Sequence, residues 1–169
     1  MSIVSKRVRY ALHGLAFLAR HDESEDPVPF EMILAYLRAY SQRLTLSPSY
    51  IAKVFQDVSR AGLTVAVPGP HGGYRLAAPA EKLSLIKVVE ALDGPLGSEC
   101  CLLSVGNCTQ QGRCGVRLLV QQAESAYYDF FAGETVASLS KKMTFPDLDR
   151  PVGENPPPIQ IGESGPSNS

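Results

Sequence analysis

Between Ser47 and Gly62 the chain spells out a helix together with both of its ends, and a hairpin follows at once. Ser47 is placed to cap the free N-terminal amides, and Pro48 suits the first turn, where its missing N–H costs nothing. Ile51, Val54, Phe55 and Val58 recur at helical spacing as a stripe to be buried, and Gly62 supplies a left-handed exit. That arrangement leaves Ser49, Tyr50, Lys53, Gln56, Ser59 and Arg60 off the stripe. Leu63 to Val67 is short and β-branched. Pro68 to Gly73 can turn, and Tyr74-Arg75-Leu76 can return as a partner strand. A helix that must bury one face and is tied directly to a hairpin restricts the surrounding chain severely.

The flanking segments fit that restriction. Val4, Val8, Ala11, Leu12, Leu15, Leu18 and Ala19 predict a first amphipathic helix to about His21, ended by an acidic loop with Pro27 and Pro29. A second helical pattern runs from Phe30 to Tyr40, and the residues from Ser41 to Leu46 read as a turn. Helix, helix, capped helix, hairpin is the order of a winged helix-turn-helix, whose third helix enters a DNA major groove. The same order also occurs in proteins that never touch DNA. Ser84 opens a further helix with Leu85, Val88, Val89 and Leu92 on one side, closed by Asp93-Gly94-Pro95.

The fold class expected is therefore mainly α with a small β-hairpin, and the chain divides into four stretches. Residues 1–94 form the winged helix-turn-helix domain, 95–115 a cysteine-containing sensor loop, 116–143 a dimerisation helix region, and 144–169 a disordered tail rich in Pro, Gly and Ser. In the third stretch Val116, Leu119, Val120, Ala123, Tyr127, Phe130 and Phe131 make an apolar stripe after an already complete small core. A second copy of the chain covers such a stripe most simply, and a two-fold dimer matches a palindromic operator. The alternative is that the helix packs back on its own domain.

Net charge over the 169 residues is −1, so the molecule is not basic as a whole. The distribution is uneven: Lys6, Arg7, Arg9 and Arg20 precede any acid, and Asp22, Glu23, Glu25 and Asp26 then cluster. Such a stretch serves equally as a solvated face or as a surface for phosphates. No apolar run approaches the roughly 20 residues of a membrane helix, and the first residues do not read as a signal peptide. The expected compartment is the cytoplasm, where stable disulfides are uncommon.

All four cysteines, Cys100, Cys101, Cys108 and Cys114, fall within one short stretch. Structural zinc sites use close cysteine pairs repeated twice, and that spacing is absent. The intervening loops contain Gly106 and Gly112 and can gather three thiolates around an iron–sulfur cluster, which accepts irregular loops and a weaker fourth ligand. A metal-free thiol switch is the main competitor, because Arg113 and Arg117 lie near enough in sequence to favour thiolate. The order is cluster, then thiol switch, then zinc. A small thiol oxidoreductase fits less well, since no Cys-x-x-Cys motif is present and the histidines are distant in sequence. The reading is a regulator and not an enzyme.

If the chain binds DNA, Ser49, Tyr50, Lys53, Gln56 and Arg60 are the candidates for base and phosphate contact. Arg can bond a guanine edge twice, and Gln an adenine edge. Lys6, Arg7 and Arg9, with His71 and Arg75 in the wing, would position the backbone.

Lys6-Arg7-Val-Arg-Tyr10-Ala11-Leu12, Leu46-Ser-Pro-Ser-Tyr-Ile-Ala-Lys-Val, Arg60-Ala-Gly-Leu, Pro70-His-Gly-Gly-Tyr-Arg-Leu-Ala and Val88-Val-Glu-Ala-Leu-Asp-Gly-Pro-Leu carry a resemblance. Together they resemble the bacterial winged-helix repressor family of the iron–sulfur cluster regulator and the nitric-oxide-sensitive repressor, from about Ser5 to Lys142. The resemblance implies a homodimer, a palindromic duplex operator, and three cysteines that in many members hold a cluster of the 2Fe-2S or 4Fe-4S type. Carried onto this sequence, the ligands are Cys101, Cys108 and Cys114, with Cys100 a possible substitute. The sequence departs from the family pattern in four places, one of them a longer segment between the second and third helices around Ala39 to Arg43. The gap before Cys108 is one residue longer than the gap after it, where the family commonly has equal gaps. Arg117 stands where the family often has a ligating histidine, and Arg9 where it often has an acid.

Overall fold

The computed structural model describes residues 4–22, 26–40, 46–95 and 114–146. Three of the four cysteines, residues 41–45 of the expected turn and most of the expected C-terminal tail lie outside the described residues.

The first helix, α1, spans Lys6–Arg20; the Val8 amide donates to the hydroxyl of its N-cap, Ser5. Its buried face carries Val8, Ala11, Leu15 and Leu18. Helix α2 is Phe30–Tyr40 and α3 is Pro48–Arg60, the latter burying Ile51, Val54, Phe55 and Val58 as the spacing predicts. Ser47 occupies the N-cap of α3, but its side chain makes no capping bond. Its hydroxyl lies 2.8 Å from that of Ser49, a neighbouring partner that competes with the helix amides. Gly62 leaves α3 at φ 71°.

Strands β1 (Thr64–Val67) and β2 (Gly73–Leu76) pair antiparallel, Thr64 opposite Leu76 and Val67 opposite Gly73. The hairpin is fastened to the core by a further rung. Val28 and Tyr74 exchange both backbone hydrogen bonds at 2.9 Å. A Cβ on Gly73 would lie 2.1 Å from the Val28 carbonyl oxygen, so only glycine lets these backbones approach so closely. Thr64, the buried polar side chain of β1, is satisfied by the Ser59 hydroxyl at 2.7 Å.

A short 3₁₀ turn at Ala80–Lys82 leads into α4 (Leu85–Asp93), which packs on α1 and α3 and ends at Gly94 with φ 88°. The core thus gathers Leu15, Leu18, Ile33, Tyr36, Ile51, Phe55, Val58, Val88 and their neighbours between the helices. After the cysteine segment, α5 runs Gly115–Gly133 and ends where the sequence places Gly133.

The region 116–143, expected as a single dimerisation segment, holds two helices. At Glu134 and Thr135 the chain turns extended and then forms α6, Val136–Lys142, with a reciprocal capping box between Thr135 and Ser138. Helix α6 belongs to the N-terminal core: Val136 is fully buried, and the Ser140 hydroxyl donates to the Ala16 carbonyl oxygen of α1 at 3.0 Å. The joint between α5 and α6 is bolted to the start of α4. Leu85 N–H donates to Glu134 O at 2.9 Å, and Val136 N–H to Leu83 O at 2.8 Å. Phe145, placed by sequence in the tail, packs against Tyr36 and Phe17, with the Arg20 guanidinium 5.1 Å from its ring centre. Packing therefore continues past the expected boundary at residue 144. Among the described residues no helix is long and apolar enough to cross a membrane.

Candidate nucleic-acid interface and cysteine segment

Helix α3 sorts its residues by angle. At about 100° per residue, Ser49, Lys53, Gln56 and Arg60 fall within a sector of roughly 60°, opposite the buried stripe. All four are exposed. The core thus fixes one side of the helix and leaves the other as a row of donors and acceptors. Tyr50 and Asp57 lie on the flank facing α1. The Tyr50 ring meets that of Tyr10 edge-on at 6.1 Å, and Asp57 meets Arg7.

The remaining candidates are distributed around this row. Lys6 is exposed at the start of α1, His71 at the hairpin turn and Arg75 on β2. Arg7 is engaged within the fold: it donates to the Asp57 carboxylate and, through Nη1, to the Leu92 carbonyl oxygen at 3.2 Å. Asp57 also accepts from Arg60 Nη1 at 2.8 Å. Asp57 was not singled out from sequence, although its spacing of three residues from Arg60 on one helix was a legible signal.

In the C-terminal part, α5 buries no residue completely. Val116, Leu119 and Phe130 are 55%, 68% and 63% exposed, an unusual condition for large apolar side chains on one helix. Leu118 and Tyr128 are exposed as well, as is Ala123, while Val120 is half-buried. Tyr127 and Phe131 lie against the core with their rings 4.7 Å apart. Burial, helped by the nearby charge of Asp93, pushes the Tyr127 phenol up. The alternative of packing back is therefore realised in part: Tyr127 and Phe131 near the C-terminal end of α5 lean on their own domain, and Val116, Leu119 and Phe130 face outward.

Cys114 is half-exposed at the N-cap of α5, with a free thiol. Cys100, Cys101 and Cys108 lie outside the described residues. Among the described residues no group of three His, Cys, Asp or Glu side chains could hold a metal ion. Three thiols with a partly exposed member are a donor set that fits an iron–sulfur cluster. Arg117, half-buried one turn after Cys114, supplies no ligand.

With this arrangement in view, the comparisons with known proteins are concordant. The sequence profile of the Rrf2 family, described as iron-dependent transcriptional regulators, matches residues 4–142. The HTH-type transcriptional regulator IscR of Vibrio campbellii is 33% identical over 141 residues, covering 83% of this chain and 78% of that protein. IscR of Vibrio cholerae is 32% identical over 139 residues, covering 82% and 75%. Among solved structures, CymR, the global cysteine regulator of B. subtilis, superposes with a TM-score of 0.64 at 21% identity, covering 85% of this chain and all of that one. IscR of T. potens superposes with a TM-score of 0.59 at 21% identity, covering 83% and 87%. These two likenesses establish the winged-helix fold. Taken with the exposed face of α3 and its fastened hairpin, the match over nearly all of the folded part shows that this chain belongs to the Rrf2 family of transcriptional regulators.

Proposed function

We propose that the chain regulates transcription in the cytoplasm as a homodimer on a palindromic duplex operator, its affinity set by an iron–sulfur cluster at the cysteine segment. The observation that carries the DNA part is the row Ser49, Lys53, Gln56 and Arg60, exposed directly opposite the stripe that the core holds rigid. Residues 1–94 supply that surface, 95–115 the sensor, and within 116–143 helix α5 the contact between copies, α6 being packed on the core. The dimer part rests on Val116, Leu119 and Phe130, with Val120, Ala123 and Tyr127 completing the seam. A large apolar face left in water favours association.

Cys101, Cys108 and Cys114 would hold the cluster, with Cys100 a substitute; the family's description as iron-dependent regulators supports an iron centre. When bound, an iron–sulfur cluster of the 2Fe-2S or 4Fe-4S type supplies a centre sensitive to oxidants and nitric oxide. The protein's part is to present the thiolates between the end of α4 and the start of α5, so that binding there would change how those helices meet. A metal-free thiol switch is the second reading. It is favoured by Arg9 and Arg117, which stand at the two positions where the resembling family commonly supplies a fourth ligand.

The test is the anaerobic visible spectrum of freshly purified protein with iron and sulfide counts, followed by gel shifts before and after iron removal. Bound iron and sulfide with a change in duplex affinity support the cluster. Absence of iron, with affinity changed by a mild oxidant that forms a disulfide, selects the second reading. A duplex affinity indifferent to both treatments removes the sensing role.

A further inference from the structure

The carboxylate of Asp57 is shared between two arginines. One oxygen accepts from Arg60 Nη1 at 2.8 Å and the other from Arg7 Nη2. Arg7 also grips the Leu92 carbonyl oxygen, and beside it the Ser5 amide donates to the Asp93 carboxylate at 3.2 Å. An unbroken chain of contacts therefore runs Arg60, Asp57, Arg7, Leu92. It crosses α3, α1 and α4 and stops just short of Gly94, where the chain leaves α4 toward the cysteine segment.

Exposure decides what this chain can do. The Asp57 side chain is only 14% exposed while that of Arg60 is 73% exposed. The carboxylate is a sheltered anchor, and most of the guanidinium faces outward. A guanidinium has five N–H donors, so one bond to Asp57 leaves an edge for a base or a phosphate. An arginine already laid along its helix also has fewer orientations to lose on binding.

We propose that Asp57 is the positioning residue that sets how α3 presents Arg60 to DNA, and that Arg7 ties this setting to the end of α4 ahead of the cysteine segment. The proposal rests on α3 being the recognition helix. Arg7 then acts inside the fold and not as a phosphate contact.

The probes are a 30-base-pair duplex recovered from a random pool by the wild-type protein and a scrambled duplex of the same composition. The quantity read is the ratio of their affinities. Asp57→Asn should lower that ratio about tenfold by releasing Arg60, without weakening binding to the scrambled duplex, because a negative charge is removed. Adding Arg60→Ala in that background should cost less than about twofold more, since the two residues act as one unit. Arg7→Met should lower the ratio about threefold and leave the salt dependence unchanged. A phosphate-contacting Arg7 would instead reduce the salt slope by about one and spare the ratio. Should Asp57→Asn fail to fold, the two readouts of Arg7→Met decide alone. The proposal is overturned if Arg60→Ala lowers the ratio while Asp57→Asn leaves it within about twofold, or if Arg7→Met behaves as a phosphate contact. If Arg60→Ala and Lys53→Ala both leave the ratio unchanged, the recognition-helix reading itself fails and takes the proposal with it.

Discussion

Gly14 lies on the buried face of α1 at the point where α1 meets α3, and replacing it by alanine is a stringent test of that contact. A Cβ there would sit 2.3 Å from Cζ and 2.9 Å from Cε2 of Phe55. Carbon atoms rest at about 3.5–4.0 Å, so the tip of the ring would have to withdraw by roughly 1.2–1.7 Å. Phe55 is fully buried, and its ring lies 5.0 Å from that of Tyr74, which blocks an easy retreat. Overpacking of a filled core costs about 1–3 kcal/mol, and this geometry belongs near the upper value. Alanine's better helix propensity returns about 1 kcal/mol. The expected net loss is about 2 kcal/mol, or a fall of about 1 M in urea midpoint for a typical denaturant slope. Urea titration followed by circular dichroism measures it. Phe55→Leu removes the atoms that clash, so the double variant should recover about 1–2 kcal/mol relative to the sum of the singles. A Gly14→Ala protein as stable as wild type, or strictly additive singles, would refute the close approach of α1 and α3.

Other expectations follow from the same geometry. Lys53→Ala should weaken binding to the recovered duplex by about 1–3 kcal/mol in gel-shift titration if the side chain reads a base, and unchanged affinity would remove it from the interface. Leu119→Glu with Phe130→Glu should yield monomers by sedimentation, because charge is strongly disfavoured in an apolar seam; a monomeric wild type at micromolar concentration sinks the dimer outright. Four single Cys→Ala variants reconstituted anaerobically should split three to one in retained iron, with Cys108 and Cys114 required; four unaffected variants would mean no cysteine is a ligand. Glu134 is held below its ordinary carboxylate range, first by the hydrogen bond from Lys142 and then by that from Ser138. A depressed carboxyl contributes stability that is full above its unfolded value of about 4.5 and is lost as pH falls through its folded value. The melting-temperature gap between wild type and Glu134→Gln should therefore be present at neutral pH and close in acid below that value, and a gap independent of pH would exclude Glu134 as its source.

What could be read in the sequence was whatever depends on near neighbours along the chain. The stripe of α3, the bounds of α2, the end of α5 at Gly133 and the turn glycines Gly62 and Gly94 all follow from helical period or backbone freedom. Contacts made across the fold were less accessible. The pairing of Ser84 with Thr135 joins residues far apart in sequence, so the short α6 went unrecognised within the region 116–143 even though Thr135 and Ser138 have capping-box spacing. Arg7 was legible as a cation near the start of α1, but whether it meets phosphate or Asp57 depends on how α1 lies across α3. Ser47 shows the limit of even a local rule, because a second hydroxyl two residues on captures the one that should have capped the helix.

The bolted joint at the far end of α5 makes that helix a pivoted rod. Its 19 residues, at about 1.5 Å each, span roughly 28 Å from the fixed end near Gly133 to the end where Cys114 stands. A tilt of about 5° about the joint carries the Cys114 end through roughly 2.4 Å, from that length, while the hydrogen bonds at Glu134 and Val136 hardly stretch. The same proportion holds in reverse, because coupling between the two ends of one body is reciprocal: whatever fixes the position of Cys114 also fixes the angle at the joint.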